Sequence, residues 1–377
     1  MSIYLRASSY SSLQTPGNTA RVAAAIRNYL KQKGILYQLV DPLGDGRVSL
    51  ISDFQGGKGP SPRVVLNGHI DTLPVGDYEG WSRSPWSGAA TTGGRIHGRG
   101  SAGMKSGTAS LVIVYASLYE RRDHLSGSVA LCAVAEGETG GEWGTRFLLK
   151  QSMARWGGNL MLSADPGGLE IIGHADKGTL RLKCAIRKAT AFINDIIMDL
   201  ETLGGYIPFG LGSDMAGHFR TPEAERLIDK AMGPGASETI FGPTINVSTI
   251  VGGLKVDMIP EVCTFELDIR MPLWMEAEWI MQRINLTKSK HEPANIKIEV
   301  QDAASYPASH SAMDHLIVGL LRDNAKSLCP SVDAPIPVPS MGTSECRHYQ
   351  YAGIPAYSYG CSPRTSESFM LNTRRSD

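Results

Sequence analysis

The sequence has no surplus of either charge: 37 Lys and Arg stand against 37 Asp and Glu, a formal net charge of zero over 377 residues. Without a basic excess or a run of Lys and Arg, affinity for nucleic acid or an anionic membrane has no electrostatic source, and neither partner is expected. Nowhere do about 18 apolar residues run without a charge, so no membrane-spanning helix is expected. The opening MSIYLRASSYSS lacks the apolar core of a secretory signal, which sets the expectation of a cytoplasmic protein. Cysteine is sparse. Cys132, Cys184, Cys263, Cys329, Cys346 and Cys361 are scattered singly, with neither the paired spacing of a zinc knuckle nor the density of a disulfide scaffold, and read as reduced core thiols. The sequons Asn246-Val-Ser and Asn285-Leu-Thr would need a secretory route and carry no weight. Internal repeats and low-complexity tracts are also lacking.

What the chain does have is a globular composition, 42% apolar, at a length that suits two domains with a core each. Residues 17–34 place Val22, Ala25, Ile26, Tyr29 and Leu30 on one helical face and stop at Gly34. The apolar runs ILYQLV, RVVLN, SVALCAVA and NLMLSA read as strands, and a helix is predicted over about 104–120. Strands alternating with amphipathic helices predict an α/β fold with a central mixed sheet flanked by helices, in which ligands bind beyond the carboxyl ends of strands. From residue 178 the texture changes to TLRLKCAIR, a helix ATAFINDIIMDLETL, a Gly/Pro-rich stretch 204–243, the strands INVSTIVGG and CTFELDIRMP, and a helix from about 274. IKIEVQ, a helix around 313–327 and the strand IPAYSYG are read as a return to the first texture. The expectation is a discontinuous catalytic domain, 1–177 plus 291–377, with a smaller α+β insert at 178–290 serving as lid or dimerisation domain.

Asn67-Gly-His-Ile-Asp sets a histidine at a strand end with a carboxylate two residues on, so that on extended backbone His69 and Asp71 share a face. Alone, such a histidine is more often a satisfied structural residue. The context adds AEGETGGEWGT and SADPGG, which open where strands end and supply Glu136, Glu138 and Asp165. Imidazole with carboxylates at several strand mouths is the donor set of a zinc, manganese or cobalt hydrolase. Gly98-Arg-Gly-Ser-Ala-Gly103 matches a dinucleotide-binding pattern, weakly, because TTGGRIH before it is not a clear buried strand.

NGHIDTLPVGDYEGWSRSPWSG, HGRGSAGMKSG, EGETGGEWGTRFLL, INVSTIVGGLKVDMIPEVCTFELDIRMP and GTSECRHYQYAGIPAYSYG resemble, in order and spacing, the zinc-dependent aminoacylase and carboxypeptidase family that includes acetylornithine deacetylase and succinyl-diaminopimelate desuccinylase. The resemblance implies a two-metal α/β catalytic domain with an inserted lid, hydrolysing N-acyl amino acids or peptides. It casts His69, Glu138 and Asp165 as metal ligands and Asp71 as the support of His69. It also exposes departures. Gly103 stands where the family's bridging Asp is found, and Gly137 where its general-base Glu is found. The loop that carries an oxyanion histidine has no room at Arg187-Lys188-Ala189, and GCSPRTSESFMLNTRRSD lacks the histidine that completes the second metal site in many relatives.

Two dications about 4 Å apart without a bridging carboxylate repel each other, so zero or one zinc per chain is expected rather than two, with manganese or cobalt as alternatives. Asp71, Glu136 and His348 are the candidate catalytic groups. Glu136 would need a local bulge to face the site. Arg347 and Arg270 are the candidates for clamping a substrate carboxylate, Arg270 also reading as a structural ion-pair residue. Lys105 reads as the opening of a helix. Three functions follow: an amide or acyl hydrolase on small N-acyl amino acids with a simplified centre, a repurposed metal-independent enzyme that forms or rearranges an amide or ester bond, and a catalytically dead binding homologue. Small-molecule substrates and a homodimer through the insert complete the expectation.

Overall fold

The computed structural model describes residues 17–76, 78–90, 96–186, 189–202, 220–253, 262–291, 296–330 and 333–360. The expectations for MSIYLRASSYSS, Arg187-Lys188, Cys361 and the tail beyond it lie outside those residues. In chain order the strands are β1 (Gln38–Val40), β2 (Ser49–Gln55), β3 (Arg63–His69), β4 (Ala89–Ala90), β5 (Ile96–His97), β6 (Ser128–Val134), β7 (Leu160–Pro166), β8 (Ile171–Asp176), β9 (Gly178–Ile186), β10 (Thr244–Gly252), β11 (Cys263–Met271), β12 (Lys297–Val300), β13 (Ser309–His310), β14 (Ile336–Ser340) and β15 (Ala356–Gly360). Two compact units result: Met1–His174 with Ser311–Pro337 and Ser344–Asp377, and Ala175–His310 with Val338–Thr343.

The first unit is built on a mixed sheet whose order runs β1-β2-β6-β3-β7-β15-β8. Both of its faces are buried, and the strand alternation shows how. Leu50, Leu66, Leu131 and Ala133 face the helices Ala20–Gln32 and Lys105–Glu120 through Val22, Ile26, Leu30, Val112 and Tyr115. Their neighbours Ile51, Val65, Ala130, Cys132 and Val134 face the opposite side, against Leu148, Leu149, Trp156 and Tyr349. Successive strand side chains point to opposite faces, so strands that read as unbroken apolar runs in sequence are covered by helices on both sides. Trp156 is only 2% exposed in the second of these layers. Trp156→Ala is expected to cost about 3–5 kcal/mol, read as a lowered urea midpoint with unchanged m-value. A change under about 1 kcal/mol would mean that this layer is loosely packed.

The second unit is a four-stranded antiparallel sheet, β10-β11-β9-β12. Its strand β11 alternates partly exposed and buried residues, the pattern of a sheet covered on one face. Phe265, Leu267 and Ile269 pack with Leu180, Leu182 and Cys184 beneath the helices Ala189–Glu201 and Ala277–Lys290. IKIEVQ is corrected here: β12 pairs with β9, so the insert continues to His310 instead of ending at 290, and residues 338–343 rejoin it. The stretch 204–243 contains two helices, Pro222–Met232 and Ala236–Phe241; residues 203–219 fall outside the described part. Among the described residues no helix is long and apolar enough to cross a membrane.

Candidate active site

Three strands of the first unit bring the candidate residues together. β3 pairs in parallel with β6 on one side, His69 opposite Val134, and with β7 on the other, Leu66 opposite Leu162. Parallel neighbours end at the same edge of a sheet, so the segments after His69, Val134 and Ser163 gather there. Sequence distance is large, but register makes the meeting unavoidable.

Asp71 is the hub, 1% exposed. Its Oδ1 lies 3.2 Å from His69 Nδ1. The backbone N–H of Gly137 donates to Oδ1 at 2.9 Å and that of Glu138 to Oδ2 at 3.0 Å. Burial pushes the Asp71 carboxyl upward, but His69 and these two N–H donors outweigh it and hold it below its ordinary value. Burial likewise opposes the charged form of His69. Its hydrogen bond to Asp71, with the charges of Asp71, Glu138 and Asp165, carries its pKa up to about 10 instead. Thr108 Oγ1 donates to the His69 carbonyl at 2.7 Å, fixing the strand end against the helix Lys105–Glu120. Glu138 is raised chiefly by burial, with Asp71 and Asp165 adding to the rise and His69 and Arg99 opposing it.

Glu136 is turned elsewhere. Its φ of 66° is left-handed, an uncommon conformation for a residue with a side chain, and a tight turn Gly137–Thr139 follows at once. The extended-strand parity used in the sequence reading therefore stops at Ala135. Glu136 Oε1 accepts from Arg47 Nη1 at 2.8 Å and Oε2 from the Trp143 N–H at 2.6 Å, so both oxygens hold the loop together.

Arg347 and His348 lie in the short helix Cys346–Tyr351 of the same unit. Arg347 is buried, donating to the carbonyls of Ser344 at 3.3 Å and Gly140 at 3.1 Å. Burial, with Arg347 and Arg146 nearby, pushes the His348 pKa down to about 3, so its imidazole is neutral. Arg270 belongs to the other unit and is tied to Asp268, Nε to Oδ1 at 2.8 Å, and to Thr179 Oγ1 at 3.1 Å, the ion-pair arrangement of the structural reading.

Two residues gain weight that sequence reasoning did not give them. Glu345 is 2% exposed, raised by burial, and within electrostatic reach of His69 and Asp71. Its signal was positional: it stands three residues before His348, one helical turn, beside an Arg already under suspicion. Lys105 does open its helix, yet it is 1% exposed, and burial lowers its pKa to about 8 against the pull of Asp71. Polarity in sequence cannot reveal such burial.

The dinucleotide reading of Gly98–Gly103 meets an unsuitable context. Among the described residues, the strand before it is the two-residue β5, which pairs with β4 outside the central sheet. The donor types His69, Glu138 and Asp165 suit a divalent ion. Among the described residues, as they stand, no three His, Cys, Asp or Glu side chains form a ready-made group around one.

The two glycines at the departure points differ sharply. A Cβ built on Gly103 meets only Pro166 Cγ, at 4.0 Å. A Cβ on Gly137 overlaps His69 Cβ and Cγ outright and lies 2.8 Å from its Cδ2.

Comparison with known proteins accords with this architecture. The chain is 26% identical over 273 residues to a probable succinyl-diaminopimelate desuccinylase of Staphylococcus aureus, 68% of this chain and 66% of that protein, so it spans just under two thirds of the length of that relative. Among solved structures it resembles the metallo-carboxypeptidase Sso-CP2 from Sulfolobus solfataricus, with TM-score 0.73 at 18% identity over 94% of this chain and 90% of that one. The di-peptidase Dug1p from Saccharomyces cerevisiae gives TM-score 0.71 at 16% identity over 95% and 88%. At such identities these structures establish the fold alone. The sequence model of Peptidase family M20/M25/M40 matches residues 65–370, most of the chain, and this protein belongs to that family.

Proposed function

We propose that the chain acts on the amide or acyl bond of a small N-acyl amino acid or peptide-like substrate, through a site holding at most one divalent ion. The observation that carries this reading is the buried His69–Asp71 pair at the mouth of β3, with Glu138 and Asp165 in electrostatic reach. Gly103 supports the limit on metal: without a carboxylate there, nothing at that position screens two dications from each other. An ion held there would be zinc by its donor types, His69 with carboxylates, with manganese or cobalt sharing that preference.

Gly137 favours a second reading. A general base contributes about 100 to 10,000-fold, and the crowding of a Gly137 Cβ by His69 leaves no room for one at that residue. An amine nucleophile carried by the substrate dispenses with water activation, so aminolysis or cyclisation suits this site better than ordinary hydrolysis. Either way the reading includes a cytoplasmic homodimer through the insert, supported by β10, an edge strand on which Ile250 and Val251 are 62% and 70% exposed.

The test is release of free amine from N-succinyl and N-acetyl amino acids, with zinc, with chelator, and in His69→Ala. Release lost in both of the last two supports the single-metal hydrolase. Turnover indifferent to chelator transfers support to metal-independent bond formation. Ligand-induced stabilisation without turnover of any substrate overturns both in favour of a binding homologue.

A further inference from the structure

Glu345 Oε2 and His348 Nε2 are buried and lack a hydrogen-bond partner among the described residues. Both point at Gly141. A Cβ built on that glycine would stand 2.8 Å from His348 Nε2 and 3.6 Å from Glu345 Oε2. The place a side chain would take therefore lies between two orphaned polar atoms. Gly141 has φ of +73°, which disfavours any residue with a Cβ, and so keeps carbon out of that space. Buried polar atoms are almost always satisfied by protein or by ordered water, and a water needs polar partners to be held.

Charge decides what fits. Arg347 and Arg146 both act on His348 and disfavour a second cation there. The Glu345 carboxyl disfavours an anion. A neutral occupant with two donors suits an imidazole nitrogen and a carboxyl oxygen at once. We infer that one water molecule is bound at Gly141, bridging Glu345 Oε2 and His348 Nε2. The bridge ties the turn after β6 to the helix Cys346–Tyr351, alongside the direct bond from Arg347 Nη2 to the Gly140 carbonyl. This inference goes beyond the amide-bond reading and holds whichever reaction the site performs.

A crystal structure of the full chain at a resolution that shows ordered water is expected to place a peak within hydrogen-bond distance of both atoms. A direct Glu345–His348 contact with no peak, or a metal identified there by anomalous scattering, overturns the inference.

Discussion

Gly137→Glu is expected to wreck the site, while Gly103→Asp is expected to be accepted, although the family resemblance casts both changes as restorations. At Gly137 the added Cβ collides with the Cβ and Cγ of a buried imidazole tied to Asp71, so His69 or the turn has to shift. Overpacking of this kind costs about 1–3 kcal/mol, and displacing the Gly137 N–H from the Asp71 carboxylate costs about 1.5–3 more. A loss on the order of 4 kcal/mol should appear as a lower urea midpoint. At Gly103 the nearest atom is 4.0 Å away, so stability should move by less than about 1 kcal/mol. The new carboxylate should raise zinc affinity on the order of tenfold, measured by calorimetric titration, about 1.4 kcal/mol. If Gly137→Glu unfolds at the wild-type midpoint, the turn at 136–139 adapts freely and the case against a base at that position collapses. If Gly103→Asp leaves zinc binding unchanged, the position does not face the site.

Acid should remove the contribution of His348 to stability well before ordinary carboxylates titrate. Its pKa is about 3 when folded, held down by burial, against about 6.5 when unfolded. Below pH 6.5 the unfolded chain therefore binds a proton that the folded one refuses. The associated stability is complete above that pH and is lost progressively as pH falls toward 3. At about 1.4 kcal/mol per pH unit, the loss approaches 4–5 kcal/mol at the low end. Asp71, whose carboxyl is held low, adds a loss only below about pH 4. The discriminating measurement is the difference in unfolding free energy between wild type and His348→Gln at pH 7, 6, 5 and 4.5. It should shrink steadily across that range. A difference constant with pH would show that the imidazole binds its proton equally in the folded and unfolded states.

The insert illustrates where reading a sequence stops. Cys263–Met271 and Gly178–Ile186 were legible as strands because their apolar periodicity is local. The membership of Lys297–Val300 was not, since strand pairing depends on partners more than a hundred residues away. In the first unit, β2, which no local signal singled out, is the strand that joins β1 to β6.

The sequence by itself determined the α/β class, the presence of an insert, and the residue types at the strand mouths, because periodicity and motif spacing are properties of adjacent residues. It also determined that Gly103 and Gly137 lack carboxylates. Only the tertiary structure decided what those absences mean. Parallel register set His69, Glu138 and Asp165 at one edge, the left-handed turn at Glu136 sent that carboxylate to Arg47 and Trp143, and burial took Glu345 and Lys105 out of bulk solvent. Whether a glycine is an open place or a closed one depends on which distant side chain occupies the space above it. At Gly103 the nearest atom belongs to Pro166 and leaves room; at Gly137 it is the ring of His69, and there is none.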